Sequence, residues 1–294
     1  MILKRLEFSM EKSIWPNGSK CAFSFGWDLD GDTIWRNKVV KLPNGNKYIR
    51  SRSIGMYGID KGAHRILDIM GKYNLKCTWF IPAENIDRYP ELVNDIMSCG
   101  HEIANHGLDH DDFYGNTVEE QLDNIRRSQD IFQRVVGKKA VGFRPTGTLL
   151  PEVENTLFKD KSILYYSRGM AEERIDFHTV DGLKTTVVKL PCRQELDEYI
   201  QMVYSSYPQV LVGQSRISPY EDVLSNFIRE FEGAIRFGSA ITSAFHPQVS
   251  GTPGKSEIIE RLCQYITSNP EIWCTTCEEI AIHWRSRVEE TNVC

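Results

Sequence analysis

The chain has 294 residues, of which 41% are hydrophobic and 26% charged, with a formal net charge of −5. That is the composition of an ordinary soluble globular protein, long enough to bury one substantial core. An acidic balance without clustered Lys and Arg argues against a nucleic-acid groove. No stretch, including the first nine residues, is apolar enough for a signal h-region or a membrane span. A cytoplasmic protein with no membrane partner is therefore expected.

Short apolar runs alternate with longer amphipathic ones, the pattern of an α/β protein with a largely parallel sheet. Strands are predicted over 21–25, 77–81, 102–104, 140–143, 163–166, 186–190 and 242–245. Helical periodicity falls between them, over 59–73, 118–136, 220–237, 256–267 and 278–287. No long linker interrupts the rhythm, so one domain over 1–294 is expected. Two stretches, 31–58 and 193–219, are too long for ordinary βα connections and are predicted to be loop insertions or subdomains at one end of the sheet. In a barrel of parallel strands, active sites form at that end.

Eight cysteines are scattered along the chain, which in a reducing compartment points to buried thiols rather than a disulfide framework. Cys274-Thr-Thr-Cys277 has metal or redox spacing, but no second pair or nearby histidine pair completes it.

Four predicted strand ends carry chemistry-bearing residues. Asp28 and Asp30 follow the first strand and share one side of an extended segment. Side-by-side carboxylates repel unless a cation sits between them; a turn rich in Asp and Gly is the plainer alternative. His106 and His110 have a spacing that lets both imidazoles reach one metal ion, with Gly107 permitting a tight turn, although most such spacings bind nothing. Arg144, before Pro145, could pair with an Asp or simply face solvent. His246, before Pro247, has the chemistry of a general acid, or of a histidine hydrogen-bonded at a strand end. Each segment alone is weak. Together they supply three metal ligands with an open position, a free carboxylate, a guanidinium and a proton donor, which is the kit for metal-assisted hydrolysis.

The order Asp-x-Asp, His-x-x-x-His, Arg-Pro and a late Phe-His-Pro resembles the polysaccharide deacetylase superfamily, carbohydrate esterase family 4. The segments Lys76-Cys-Thr-Trp-Phe-Ile-Pro82, Gly100-His-Glu-Ile-Ala-Asn-His106 and Trp273-Cys-Thr-Thr-Cys-Glu-Glu-Ile-Ala281 share the likeness, which runs from about residue 15 to 284. The resemblance implies an irregular (β/α)7 barrel. It implies that Asp30, His106 and His110 bind a divalent metal, commonly Zn2+, and that Asp28 is the general base. Arg144 would hold Asp28 in place and ionised, His246 would be the general acid, and an oxyanion donor would lie near Thr146 and Gly147. The donor set itself suits zinc, and also Co2+, Ni2+ or Fe2+.

Gly107 after the first histidine and Ser24-Phe-Gly-Trp-Asp28-Leu-Asp30 depart from the usual polysaccharide-active motifs. They resemble instead the intracellular branch of peptidoglycan deacetylase-like proteins, cyclic imide hydrolases and allantoinase-like enzymes, in which an aromatic usually stands where Gln194 is. Asp197, nearby, is a candidate to orient His246 or shape the pocket. Trp27 and Trp35 are expected near the metal, with residues 33–58 forming a rim or lid. Its Arg36, Lys38, Arg50 and Arg52 could meet an anionic group on the substrate, or be solvated loop charges. The expected function is metal-dependent hydrolysis of a non-peptide amide, as N-deacetylation of an acetamido sugar or related small substrate. Ring opening of a cyclic imide or ureide is the alternative, and a catalytically silent binding protein on the same scaffold is a third reading. A carbohydrate or small-molecule substrate is the implied partner, and a homo-oligomer is left open.

Overall fold

The computed structural model describes residues 14–110, 113, 115–160, 162–168, 174–203 and 217–291. Eleven strands appear among them: β1 Cys21–Ser24, β2 Gly26–Asp28, β3 Thr78–Ile81, β4 Glu102–Asn105, β5 Gly142–Phe143, β6 Tyr165–Ser167, β7 Asp176–Val180, β8 Leu183–Leu190, β9 Cys192–Asp197, β10 Ala240–Ala244 and β11 Ile272–Cys274. One sheet runs β2-β3-β4-β5-β6-β8-β7 and the other β11-β1-β10-β9. All pairings are parallel except the β7–β8 hairpin.

The two sheets share chain at both seams. β1 runs into β2 across Phe25, and β8 runs into β9 across Pro191. A further parallel bridge joins Trp27 to Phe245, just beyond β10. The strands thus circle through β1/β2, β3, β4, β5, β6, β8/β9 and β10. This is the irregular (β/α)7 barrel that the resemblance implies, with β7 and β11 added at the outside.

Helices cover the barrel where periodicity predicts them. Ala63–Lys72 follows a π-helical turn at Gly58–Gly62, and Val118–Val135 starts at a capping box of Thr117 and Glu120. Tyr220–Phe237 stops at Gly238 in the left-handed region (φ 69°). Ser256–Ser268 and Cys277–Thr291 complete the set. Trp27, Trp79, Phe23, Phe25 and Phe245 pack with Ile59, Ile66, Met70 and Phe227 in the largest buried cluster, between strands and helices.

Several expectations shift. β5 is shorter than predicted because the Gln129 side chain occupies both backbone groups of Ala140, donating to its carbonyl at 2.9 Å and accepting from its N–H at 2.9 Å. The β7–β8 hairpin was not predicted. Its turn, Asp181-Gly182, has φ of 52° and 77°, the two left-handed positions that match the twist of a tight hairpin. The 31–58 stretch is mostly short helices, Thr33–Asn37, Val39–Lys41, Gly45–Lys47 and Ile49–Tyr57, rather than open loop. In the second stretch, β9 and the helix Glu198–Met202 replace the predicted loop, and residues 204–216 lie outside the described residues. No described helix is long and apolar enough to cross a membrane. The first thirteen residues, over which no signal segment was expected, also lie outside the described residues.

Candidate metal centre and active site

Strand alternation decides which side chains enter the barrel. In β2 and the residues after it, Trp27 and Leu29 are fully buried among the helix-packing apolar side chains. Asp28 and Asp30 take the opposite direction and are 5% and 2% exposed. Trp27 therefore stands in the core, not at the metal, which corrects the expectation from proximity in sequence. Trp35 is half-buried and donates from Nε1 to the Tyr48 carbonyl, on the rim.

His106 directly follows β4, and His110 sits four residues on in the left-handed region at φ 58°. A non-glycine residue held there is strained, and such strain persists only where the surroundings fix it. The surroundings are visible: Gly107 and Leu108 give their N–H groups to the side-chain oxygens of Asn105 and Asn124. Their carbonyls accept from Ala83 and Glu84 N–H. Single ligand atoms of Asp30, His106 and His110 lie within 4.8 Å of one another. His106 Nε2 and His110 Nε2 stand 3.6 and 3.5 Å from Asp30 Oδ1.

Protons and lone pairs also fit a cation. His106 Nδ1 is 2.7 Å from the Arg144 carbonyl. A carbonyl can only accept, so Nδ1 carries the hydrogen and Nε2 turns its lone pair towards Asp30. Burial pushes the His106 imidazole down, towards the neutral form that ligates metals. Burial opposes the charge on Asp30, but His110, His246 and His106 outweigh it and hold the carboxyl well below the usual range. Asp30 Oδ1 is buried without a hydrogen-bond partner. Buried carboxylate oxygens are seldom left so, and a divalent ion among these three side chains would satisfy it. Burial likewise opposes charge on His110, yet Asp30 outweighs it and raises its proton affinity; a metal would replace that proton.

Asp28 lies beside this group, with Oδ2 3.8 Å from His106 Nε2. Its other oxygen accepts from Arg144 Nη1 at 2.6 Å. The buried guanidinium spends its remaining donors on Ser167 Oγ, Thr242 Oγ1 and the Ser243 carbonyl. It also lies 3.8 Å over the Phe80 ring. Gly26 makes the crossing possible: a Cβ there would stand 2.2 Å from Ser243 O and within 2.9 Å of both terminal nitrogens of Arg144. Burial works against the Arg144 charge, but Asp28 outweighs it and raises its pKa.

His246 follows β10, and its Nε2 is 3.7 Å from Asp30 Oδ2. The group that orients it is Glu198, which the sequence reading passed over in favour of its neighbour. Glu198 Oε2 accepts from His246 Nδ1 at 3.1 Å, and Oε1 accepts from His246 N–H and Ser250 Oγ. Burial opposes protonation of His246, yet Glu198 and Asp30 outweigh it and push its pKa well above the ordinary value. Asp197 Oδ1 instead accepts from Tyr199 N–H at 2.9 Å, and burial raises its carboxyl to about 6. The Tyr199 ring meets the His246 ring edge-on at 5.1 Å.

Two other expectations resolve plainly. Arg36 and Arg52 both bind the buried carboxylate of Asp32. Cys274 and Cys277 are free thiols, as are the other described cysteines. Burial raises the Cys277 thiol to about 11, which disfavours the thiolate that redox or metal chemistry uses.

The polysaccharide deacetylase family profile matches residues 56–159. A peptidoglycan deacetylase from Helicobacter pylori is 25% identical over 88% of this chain and 94% of its own length. These matches support the polysaccharide deacetylase superfamily for this chain. A solved Mycobacterium smegmatis protein named for the superfamily superposes with a TM-score of 0.83 at 24% identity, over 93% of both chains. The PuuE allantoinase superposes at 0.81 with 18% identity over 94% of both. These two likenesses show the fold alone and choose no substrate.

Proposed function

We propose that the protein is a metal-dependent amide hydrolase that removes an acetyl group from the nitrogen of an acetamido sugar or related small substrate. The observation that carries this reading is the juxtaposition of two differently prepared sites. A three-ligand group converges, with the His106 Nε2 lone pair directed inwards, and beside it a carboxylate is fixed by a buried guanidinium. A divalent ion held by Asp30, His106 and His110, with zinc suited to the donor set, would supply Lewis acidity and make water acidic near neutral pH.

The chain's own residues then divide the proton transfers. Asp28 Oδ2, on the side away from Arg144, takes the proton of the attacking water. Arg144 fixes the direction of that carboxylate through a charge-assisted hydrogen bond. His246 Nε2 gives a proton to the departing nitrogen, and Glu198 keeps the ring turned so that Nε2 faces the site. The half-buried bend at Thr146 and Gly147, directly after Arg144 and Pro145, is the proposed place for a backbone N–H that receives the developing oxyanion.

The test is elemental mass spectrometry on protein purified without chelator, for wild type and His106→Ala/His110→Ala, followed by assays of acetate release. Near-stoichiometric zinc or a similar ion, lost in the variant, with acetate released from an acetamido sugar, is the expected result. Failure of the wild type to take up any divalent ion would sink the mechanism. Metal uptake with ring opening of a cyclic imide, and no acetate from any acetamido sugar, would move the substrate and keep the site. Metal uptake without turnover of either class would leave a binding protein.

A further inference from the structure

Between Asp32 and Asp60 the chain carries Arg36, Lys38, Lys41, Lys47, Arg50 and Arg52 and no acidic residue, although its formal net charge is −5. Charges of both signs are normally interspersed on a soluble surface, so this segregation asks for a cause. The segment grows directly out of the candidate site. Thr33 Oγ1 donates to the Asp30 carbonyl at 2.7 Å, anchoring the start of the helix Thr33–Asn37. At its other end, Asn37 Nδ2 donates to the carbonyl of Asp109, the residue before His110. The helix thus ties the loop of one metal-ligand candidate to the loop of another. Lys38 follows at once, close enough to His110 to oppose a positive charge on that ring.

Two of the cations are held inside the segment. Arg36 binds Asp32, Glu84 and Asn85, and Arg52 binds the same Asp32 while lying 5.3 Å over the Trp35 ring. Asp32 and Glu84 together offset these two guanidiniums, so the positive excess of the segment lies in its other cations. Lys41, Lys47 and Arg50 are exposed. The segment thus carries a local positive excess on a chain of net charge −5, and it begins at the site, whose Asp28 and Asp30 would by themselves repel an anion.

We propose that residues 33–52 form an anion-selecting rim, and that the preferred substrate carries a carboxylate or phosphate ester near the acetamido group. The assignment rests on the deacetylase reading given above and adds the substrate class to it. Lysine ammonium groups suit either anion as mobile point charges, without demanding the planar geometry of a guanidinium pair. Exposed cations act at a distance through solvent, so the preference should shrink as salt shortens the screening length.

The experiment compares kcat/KM of metal-loaded protein for N-acetylglucosamine, N-acetylglucosamine 6-phosphate and N-acetylmuramic acid. At low salt, at least one anionic sugar is expected to exceed the neutral one by about tenfold or more, and the phosphate and carboxylate arms show which anion is read. Lys38→Gln/Lys41→Gln/Arg50→Gln should bring the ratio near one. Lys138→Gln/Lys139→Gln should preserve it, because those exposed residues precede β5 at the opposite end of the barrel. A wild-type ratio near one, or a full preference kept by the triple variant, would overturn the proposal. If none of the sugars is hydrolysed, the deacetylase reading fails. Anion selection is then decided by calorimetric Kd values for the same sugars: tighter binding of an anionic one, lost in the triple variant, upholds it, and equal binding refutes it.

Discussion

Two buried carboxylates lie at opposite ends of the parallel strands, and their surroundings differ in kind. Asp28, at the end of β2, accepts from a guanidinium at 2.6 Å. Glu102, at the start of β4, accepts from Thr78 Oγ1, Tyr165 OH and the Glu278 N–H, all uncharged donors. Without a cation beside it, burial raises the Glu102 carboxyl to about 7 despite those bonds. Uncharged hydrogen bonds thus suffice to bury the Glu102 carboxyl, whereas Asp28 is buried against a cation. The barrel supplies that cation at the end where a base is wanted.

The largest effect should come from breaking the charged pair. Arg144→Met leaves Asp28 buried and uncompensated, and should cost about 3–5 kcal/mol of stability along with activity, read by denaturant unfolding and acetate release. Asp28→Leu/Arg144→Met should recover much of that stability and none of the activity. A double variant no more stable than Arg144→Met would show that the pair does not act as a unit. Asp28→Asn should lower kcat by roughly 10²–10⁴-fold as a general base is lost while metal content stays at the wild-type level. Near-normal turnover in that variant would remove Asp28 from the base role.

The sequence exposed the Asp28 half of this contrast because its residues recur at strand ends beside Pro and Gly, where parallel-barrel sites form. Asp28, Asp30, His106, His110, Arg144 and His246 were all legible that way, and the structure brings them together. Glu198 was not. It begins a helix directly after β9, so period-two alternation stops at Asp197 and nothing in the sequence says which acid turns inward. Trp27 misled for the opposite reason: it adjoins Asp28 in sequence, but adjacent strand residues face opposite sides. Gly26 is explained only by a long-range contact, the crossing of Arg144, which no local pattern records. The β7–β8 hairpin was readable in its Asp-Gly turn and was overlooked among longer helical signals.

Glu198→Gln sharpens the comparison at the active end. The amide keeps the shape of the side chain but removes the negative charge facing His246. Since burial lowers the His246 pKa and Glu198, with Asp30, raises it, the variant's imidazole should lose its proton at lower pH. The alkaline limb of the kcat profile should move to lower pH, and kcat near pH 8 should fall by roughly 10- to 100-fold. An unmoved alkaline limb would show that His246 is not the titrating acid. Glu198→Asp, which restores the charge, should recover part of the shift.

The smallest expected effect lies at the structural end, in Glu102. Its folded pKa of about 7 stands above the ordinary value of 4.5. Between those two values the folded protein holds a proton that the unfolded chain has released. Stability from this group is therefore full below about pH 4.5, declines as pH rises through the window, and is flat above about pH 7. Between about pH 5 and pH 7 the decline should amount to about 2 kcal/mol, from the 1.36 kcal/mol carried by each pH unit. Glu102→Gln removes the titrating group while retaining an oxygen for Tyr165 or for the Glu278 N–H at the start of the C-terminal helix. Urea unfolding at several pH values should therefore show a flatter pH dependence in the variant. An equally steep decline in both proteins would place the titration elsewhere and mean that uncharged donors alone keep Glu102 ionised, erasing the distinction between the two ends of the barrel.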